Sequence, residues 1–522
     1  MQCSRLFLPT LKGDQPRLTP WTGMMVRAGM IRFAGDGGWY VLPSGRRVFD
    51  NIICLFQTAF SRVGAHELLF HGHDVLPLLS QEIRSYKMLP FAVQRSKIST
   101  TPVPKPSFGL AFAQHRLCLE MTAAAESKSD ISQVESAIQE HIYALLSDLG
   151  VCSSLVSASP GEGQWMFVLP YDKGEIEWYE CSGCDQKAVD WCVDLGSDDM
   201  PVKTEAPKLT RIYTPGANTM ATLCEQVGIP LGATLKTMVY VREDGMPVLA
   251  MVRGDREVDV RRLTAAAGGA CRPAMQAEIE EITGAPCGFA GPCNLPRKAL
   301  LVLDSALACA SDLVAGANEA DYHLAGLVPG RDFAPDVIST IRRASPKDRC
   351  MCGCGMSSYR GFEVVTGSRF SLTGMKVQGR SATLQELPAL SVSVDVNRVV
   401  DAAARSALDD RGFNWPRAAV PFHCAVIAVT VRETSVLEEA VKVYTGLQRA
   451  GLHTLLDDRD AGLGAKMADA DLLGIPLRVL IGPQGLQHGY VEITYRTDGE
   501  REKVSLSEAV DSILKKVQPD SV

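Results

Sequence analysis

Apolar side chains change their spacing several times along the chain, and each change predicts an element. Residues 46–56 place Val48, Ile52, Leu55 and Phe56 at helical spacing, and residues 64–70 read as a turn into a strand. Helical patterning returns over 131–149. Further on, two apolar runs at 235–241 and 247–252 flank Glu243-Asp244-Gly245, the signature of a β-hairpin. Helical stretches at 259–267 and 275–283 follow, then an apolar run at 299–303, so this region predicts a compact mixed α/β domain ending near residue 340. The last hundred residues are the most regular. They predict a strand at 422–430, a helix capped by Thr434 or Ser435 and stopping at Gly451, a strand at 452–456, a helix at 466–473 and a strand at 477–481. That succession is a β-α-β-α-β unit, which implies parallel pairing with right-handed crossovers. An Asp498-Gly499 hairpin and a helix from about Leu506 complete it. Two intervals break the pattern. Residues 100–109 carry three prolines, which removes ladder donors and excludes a regular central strand or helix. Residues 194–208 turn polar, with Pro201 and Pro207, and mark a boundary.

Composition narrows the class without naming it. A chain of 522 residues is too long for one hydrophobic core and calls for three or four domains. Hydrophobic residues are 46% and charged residues 22%, and no apolar run approaches the roughly 18–20 residues of a membrane-spanning helix. The N-terminal residues show no charged-then-apolar secretion signal, so a cytoplasmic protein without membrane partners is expected. The 16 cysteines are scattered along a large chain, where single buried thiols are the ordinary explanation. A net charge of −7 gives no general attraction for nucleic acid, yet a large acidic protein can still hold RNA through local patches and shape.

Several blocks in fixed order then carry a resemblance. The first comprises Val26-Arg27-Ala28-Gly29-Met30-Ile31-Arg32, residues 40–48 and Gly64-Ala65-His66-Glu67. The middle one comprises Leu235-Lys236-Thr237, Val252-Arg253-Gly254-Asp255, Gly291-Pro292-Cys293-Asn294, Ser311-Asp312 and Gly316-Ala317-Asn318. The last is Leu455-Leu456-Asp457-Asp458-Arg459 followed by residues 468–476. Together they resemble bacterial-type prolyl-tRNA synthetases over nearly the whole chain. The resemblance implies an α/β and α+β multidomain protein. Its expected parts are a class II synthetase-like antiparallel sheet core at 1–205 and 341–417, truncated and degenerate, an inserted mixed α/β editing domain at 206–340, and an α/β anticodon-binding domain at 418–522.

Residue by residue, the two activities of that family fare differently. Class II enzymes bend the ATP triphosphate and neutralise its developing charge with arginines and a carboxylate on antiparallel strands. Where the family has Phe-Arg-Xaa-Glu, this chain reads Ile98-Ser99-Thr100-Thr101, and the glycine-rich third motif becomes residues 390–398. Side chains at Ser393 and Asp395 are expected to crowd the nucleotide there and add a repelling charge, leaving Arg398 as the one ATP-binding remnant. Between about Leu79 and Gln81 the loop that holds the prolyl amine is missing. His71 replaces a proline in the motif that builds the family's dimer interface, which leaves open whether the chain is a homodimer.

The editing segment keeps its pattern. In the family it hydrolyses alanine mischarged onto proline tRNA, a product the synthetic pocket cannot reject by size alone. The matching residues are Lys236, Gly291, Asp312 and His323. Without that context, Lys236 reads as a solvated lysine and Asp312 as a helix cap. With it, Lys236 is expected to bind the terminal adenosine's phosphate or orient the ester, backbone amides near Gly291 to orient the carbonyl, and His323 and Asp312 to shape the pocket, with no cofactor. ATP and Mg are implied only if ligase activity survives. Separately, Cys181-Ser182-Gly183-Cys184 has the spacing of half a zinc site, and Cys350, Cys352 and Cys354 across the insertion offer the other half, though without that spacing. The expected function is binding of proline tRNA with hydrolysis of alanyl-tRNA. A functioning proline-tRNA ligase and a non-catalytic tRNA-binding or regulatory paralogue stay open beside it.

Overall fold

The computed structural model describes residues 1–13, 17–69, 75–83, 85–101, 109–159, 163–196, 207–378 and 384–517. The chain divides into two compact units. One comprises Met1–Ser154, Met166–Leu169 and Glu363–Val522, and the other Leu155–Trp165 and Pro170–Phe362. The second unit therefore takes in residues on both sides of the 206–340 segment.

In the first unit, Pro43–Arg62 is a helix that buries Val48, Phe49, Ile52, Phe56 and Phe60 on one face, as the periodicity requires. Gly64 then takes a positive φ of 87° and the chain turns into the strand Ala65–Glu67. That strand runs parallel to Phe91–Thr100, which pairs antiparallel with His115–Ala124, and that in turn with Leu384–Asp395. The helix Lys128–Asp148 is capped by the Ser127 hydroxyl, which accepts from the Asp130 amide at 3.2 Å. Of the sites marked by the motifs, His71 and residues 102–108 lie outside the described residues, and Leu79 to Gln81 fall within the helix Leu76–Glu82.

The same unit holds the C-terminal β-α-β-α-β arrangement. Cys424–Ala428 lies between Thr454–Asp457 and Leu477–Ile481, parallel to both, and two antiparallel strands, Tyr490–Tyr495 and Arg501–Ser505, extend the sheet. All five residues of Cys424–Ala428 are buried, the mark of a parallel strand covered on both faces. Two details depart from the sequence reading. The helix Thr434–Arg449 takes Glu433 as its N-cap, with no side-chain bond, so Thr434 lies inside the first turn. The next helix begins at Leu463, a turn earlier than the apolar spacing shows, because Gly462 and Gly464 hide its start.

Two sheets of the second unit are built from the 206–340 segment. Leu235–Arg242 and Pro247–Arg253 form the expected hairpin inside a five-stranded sheet with Cys271–Pro273, Leu300–Asp304 and Val337–Ser339. Thr210–Tyr213, Tyr322–Leu327 and Leu313–Gly316 make a separate three-stranded antiparallel sheet. Helices Val260–Ala267 and Gln276–Thr283 both stop at left-handed glycines, Gly268 and Gly284.

A buried ion network anchors the end of this unit. Asp304 accepts from the amides of Ala306, Ile341 and Arg342 and from the Arg342 guanidinium at 2.8 Å, with both side chains 1% exposed. Asp348 joins Arg342 to Arg256. Removing one member strands the others in a low-dielectric interior. Asp304→Ala is expected to destabilise this unit by about 3–5 kcal/mol, seen as a lower denaturant midpoint for its unfolding transition.

Candidate functional site

His323 occupies the middle strand of the three-stranded sheet, paired with Ile212 on one side and Gly316 on the other. It is fully buried. Its Nδ1 lies 2.7 Å from the Thr214 hydroxyl, and the Phe289 ring packs against it with 5.5 Å between centroids. Nε2 has no hydrogen-bond partner among the described residues. Burial pushes the imidazole down to about 4, so the ring is neutral at physiological pH.

Gly291 lies against Gly316, the residue opposite His323. A Cβ on Gly291 would meet the Gly316 carbonyl oxygen at 1.8 Å, and one on Gly316 would meet the Phe289 oxygen at 2.2 Å. Asn318, held at a positive φ of 57°, brackets the same turn. Its side chain accepts from the Gly291 amide at 2.8 Å and donates to the carbonyls of Gly291 and Cys293. The Gly291 amide, expected to meet an ester carbonyl, is thus committed to Asn318. It holds the turn in place instead.

Lys236 lies in the strand Leu235–Arg242, two residues after Thr234, which bridges in parallel to Val314. Its ammonium donates to Glu257 at 2.6 Å, and Glu257 is 70% exposed. Asp312 precedes Leu313–Gly316 at a positive φ of 71°, in a bend and not at a helix N-terminus. It stands roughly 13 Å back along that strand from Gly316. Gly291 and His323 therefore meet at Gly316, while Lys236 lies two residues beyond the Thr234–Val314 bridge and Asp312 precedes the strand that carries Gly316.

The synthetase-like sheet presents different chemistry. Glu120 is paired with both Arg95 and Lys97. Asp395 caps the helix Val396–Ala407 through the Arg398 amide and forms ion pairs with Arg116 and Arg398. Arg398 is 8% exposed and donates to the carbonyls of Ala111 and Glu363 while pairing with the Glu363 carboxylate at 2.6 Å. The charge of Asp395 is therefore matched inside the protein and does not face outward as a free repelling group. Arg398, the expected ATP-binding remnant, is spent on the same network. Ser99 and Thr101 stand where the family has its arginine and carboxylate; Ser99 pairs with Arg116 across the sheet, and the Thr101 hydroxyl accepts from the Arg116 guanidinium at 3.2 Å.

Cys181, Cys184, Cys350 and Cys352 converge, their sulfurs all within 4.8 Å of one another. The Cys181–Cys352 and Cys184–Cys350 separations are 3.4 and 3.6 Å. Gly353, at a φ of 86°, turns the chain after Cys352 and carries Cys354 to Gly183, outside the foursome.

The aminoacyl-tRNA editing domain family matches residues 214–333, and the anticodon binding domain family matches 423–516. A proline-tRNA ligase of Solidesulfovibrio magneticus is 30% identical, with 97% of this chain and 96% of that protein covered. The chain belongs to the bacterial-type prolyl-tRNA synthetases. Proline-tRNA ligases of Aquifex aeolicus and Thermoanaerobacter sp. are each 26% identical, covering 100% and 98% of this chain. The prolyl-tRNA synthetase of Cryptosporidium parvum in complex with halofuginone and AMPPNP shares the fold, with a TM-score of 0.51 at 11% identity over 96% of this chain and 77% of that one.

Two residues around His323 were not legible in the sequence. Thr214 and Phe289 hold His323 from either side, but Thr214 precedes Pro215-Gly216 and reads only as a turn residue. Gly316 and Asn318 were visible in a motif block, without any sign of what they touch. Among the described residues no helix is long and apolar enough to cross a membrane.

Two outcomes follow from this geometry. Gly291→Ala is expected to cost about 3 kcal/mol in the second unit by overpacking, read as a lower unfolding midpoint, with Gly316→Ala behaving alike. Because the folded value of His323, about 4, lies below its ordinary 6.5, its contribution to stability is complete above pH 6.5 and is lost as the pH falls toward 4. A His323→Asn variant is expected to show a flatter stability profile across that window.

Proposed function

We propose that this synthetase relative binds proline tRNA and hydrolyses alanine mischarged onto it at the Lys236–Gly291–His323 site, and that it does not activate proline with ATP. The observation that carries the reading is a contrast in how charge is used. In the synthetase-like sheet, Arg116, Asp395, Arg398 and Glu363 form ion pairs with one another. In the editing segment, His323 is buried and neutral, and its Nε2 has no hydrogen-bond partner among the described residues. A leftover hydrogen-bonding group in an apolar wall is costly unless a ligand completes it.

In the proposed reaction, water attacks the ester carbonyl of alanyl-tRNA, the ester C–O bond breaks, and alanine and free tRNA are released. The leaving oxygen is the ribose hydroxyl of the terminal adenosine, which takes back a proton. Lys236 exchanges its exposed Glu257 partner for a phosphate of that nucleotide. Neutral His323 lines the amino-acid pocket and hydrogen-bonds the substrate without moving a proton. Asp312 supports the strand from its other end. The anticodon-binding residues 423–516 supply the tRNA grip.

A second reading, a working proline-tRNA ligase that needs ATP and Mg, is favoured by full-length relatives that are all named as such. Proline-dependent ATP–pyrophosphate exchange separates the two. The proposal expects no exchange above background, and robust exchange overturns it. Deacylation of alanyl-tRNA is expected to fall at least about tenfold in Lys236→Ala, the equivalent of losing one charge-assisted contact. Its rate is expected to show no inflection near pH 6.5, since His323 stays neutral there. Absence of deacylation with retained tRNA binding would leave the chain a binding paralogue.

A further inference from the structure

We propose that Cys181, Cys184, Cys350 and Cys352 hold one zinc ion as a closed structural tetrathiolate. It would tie together the two chain segments that border the editing segment. The inference is independent of the deacylase reading and uses none of its residues.

The geometry is that of a metal cage rather than of stray thiols. Tetrahedral zinc with bonds of about 2.3 Å to sulfur sets its ligands about 3.8 Å apart. The four sulfurs here lie within 4.8 Å of one another, with the two cross-pairs at 3.4 and 3.6 Å. Those separations exceed by far the ~2.05 Å of a disulfide, and all four cysteines are free. Each cross-pair joins one segment to the other, so both segments supply two donors.

Backbone amides are already aimed at the sulfurs. The Gly183 amide donates to Cys181 Sγ at 3.4 Å. Amides of Gln186, Cys352 and Cys354 do the same for Cys184, Cys350 and Cys352. In every case the donor lies two residues beyond the cysteine. Such donors stabilise thiolates and orient them, which is how second-shell groups serve a thiolate-bound metal. Cys350 and Cys352 both face the cluster although the sequence lacks the usual two-residue spacer, and the Gly353 amide closes the turn after them on the Cys350 carbonyl at 2.8 Å, with Gly353 at a φ of 86°.

Four protein ligands leave no open coordination position, which assigns the ion to structure and not to catalysis. Its benefit follows from loop length. Cys184 and Cys350 are 166 residues apart, so pinning them removes much entropy from the unfolded chain. Around the cluster itself, the segments are joined by Ser182 to Gly355 at 3.1 Å, Gly196 to Arg349 at 2.8 Å, a bridge between Leu195 and Cys350, and the Cys350 thiol donating to Gln186 Oε1 at 2.9 Å, all of them polar contacts. Cys184 and Cys352 are exposed, so no apolar core substitutes for the ion.

The test uses the full chain, purified reduced and without a metal-affinity step. Elemental analysis is expected to find about one zinc per chain, and cobalt exchange to give the intense visible bands of a tetrahedral tetrathiolate. Cys352→Ser is expected to lose the metal and lower the unfolding midpoint, whereas Cys354→Ser keeps both. If the serine variant fails to fold, the cobalt spectrum of the parent chain still decides. Absence of stoichiometric zinc together with absence of the cobalt bands overturns the proposal. So does a Cys352→Ser chain that retains its zinc, or a Cys354→Ser chain that loses it.

Discussion

Gly291 and Gly316 meet backbone to backbone, closer than any side chain would permit, and the editing site is built on that contact. With a Cβ at Gly291 the Gly316 oxygen would stand at 1.8 Å, and with one at Gly316 the oxygens of Phe289 and Ala290 would stand at 2.2 and 2.4 Å. Close approach draws the 289–294 turn onto the strand Leu313–Gly316. Phe289 then reaches His323 across that strand, and Asn318 ties the turn's amide and carbonyls together. The ring of Phe289 and the side chain of Asn318 take their positions from this approach.

The two sites of the protein differ in what has been done with their polar groups. Charges on the synthetase-like sheet are paired, so the cost of desolvating them is offset within the chain. The editing segment instead buries a neutral imidazole whose Nδ1 is satisfied by Thr214 and whose Nε2 has no partner among the described residues. Burial alone depresses that ring's proton affinity.

Much of the architecture could be read in advance because it rests on local signals. The hairpin around Glu243-Asp244-Gly245, the strand Cys424–Ala428 and the helix stop at Gly451 are each announced by periodicity or by a residue with special backbone freedom. The start of the helix Leu463–Leu473 was missed because glycines interrupt its pattern, and Glu433 rather than Thr434 precedes its neighbour because no hydroxyl bond forms there. At the sites, identities were legible and partners were not. Nothing local distinguishes an Asp395 that repels from one held by Arg116, 279 residues away, nor a Gly291 amide facing substrate from one bonded to Asn318.

By itself, then, the sequence determined the family, the order of its parts and which residue types survive at each motif, since these depend on composition and spacing along the chain. Tertiary structure decided whether those residues are available. It set Arg398 inside an internal ion network, left His323 with an unpartnered nitrogen, and gathered four cysteines from two segments despite their irregular spacing. The reason is physical: availability depends on which charges, donors and apolar surfaces lie within a few ångströms, and for these groups the neighbours come from residues far apart in the chain.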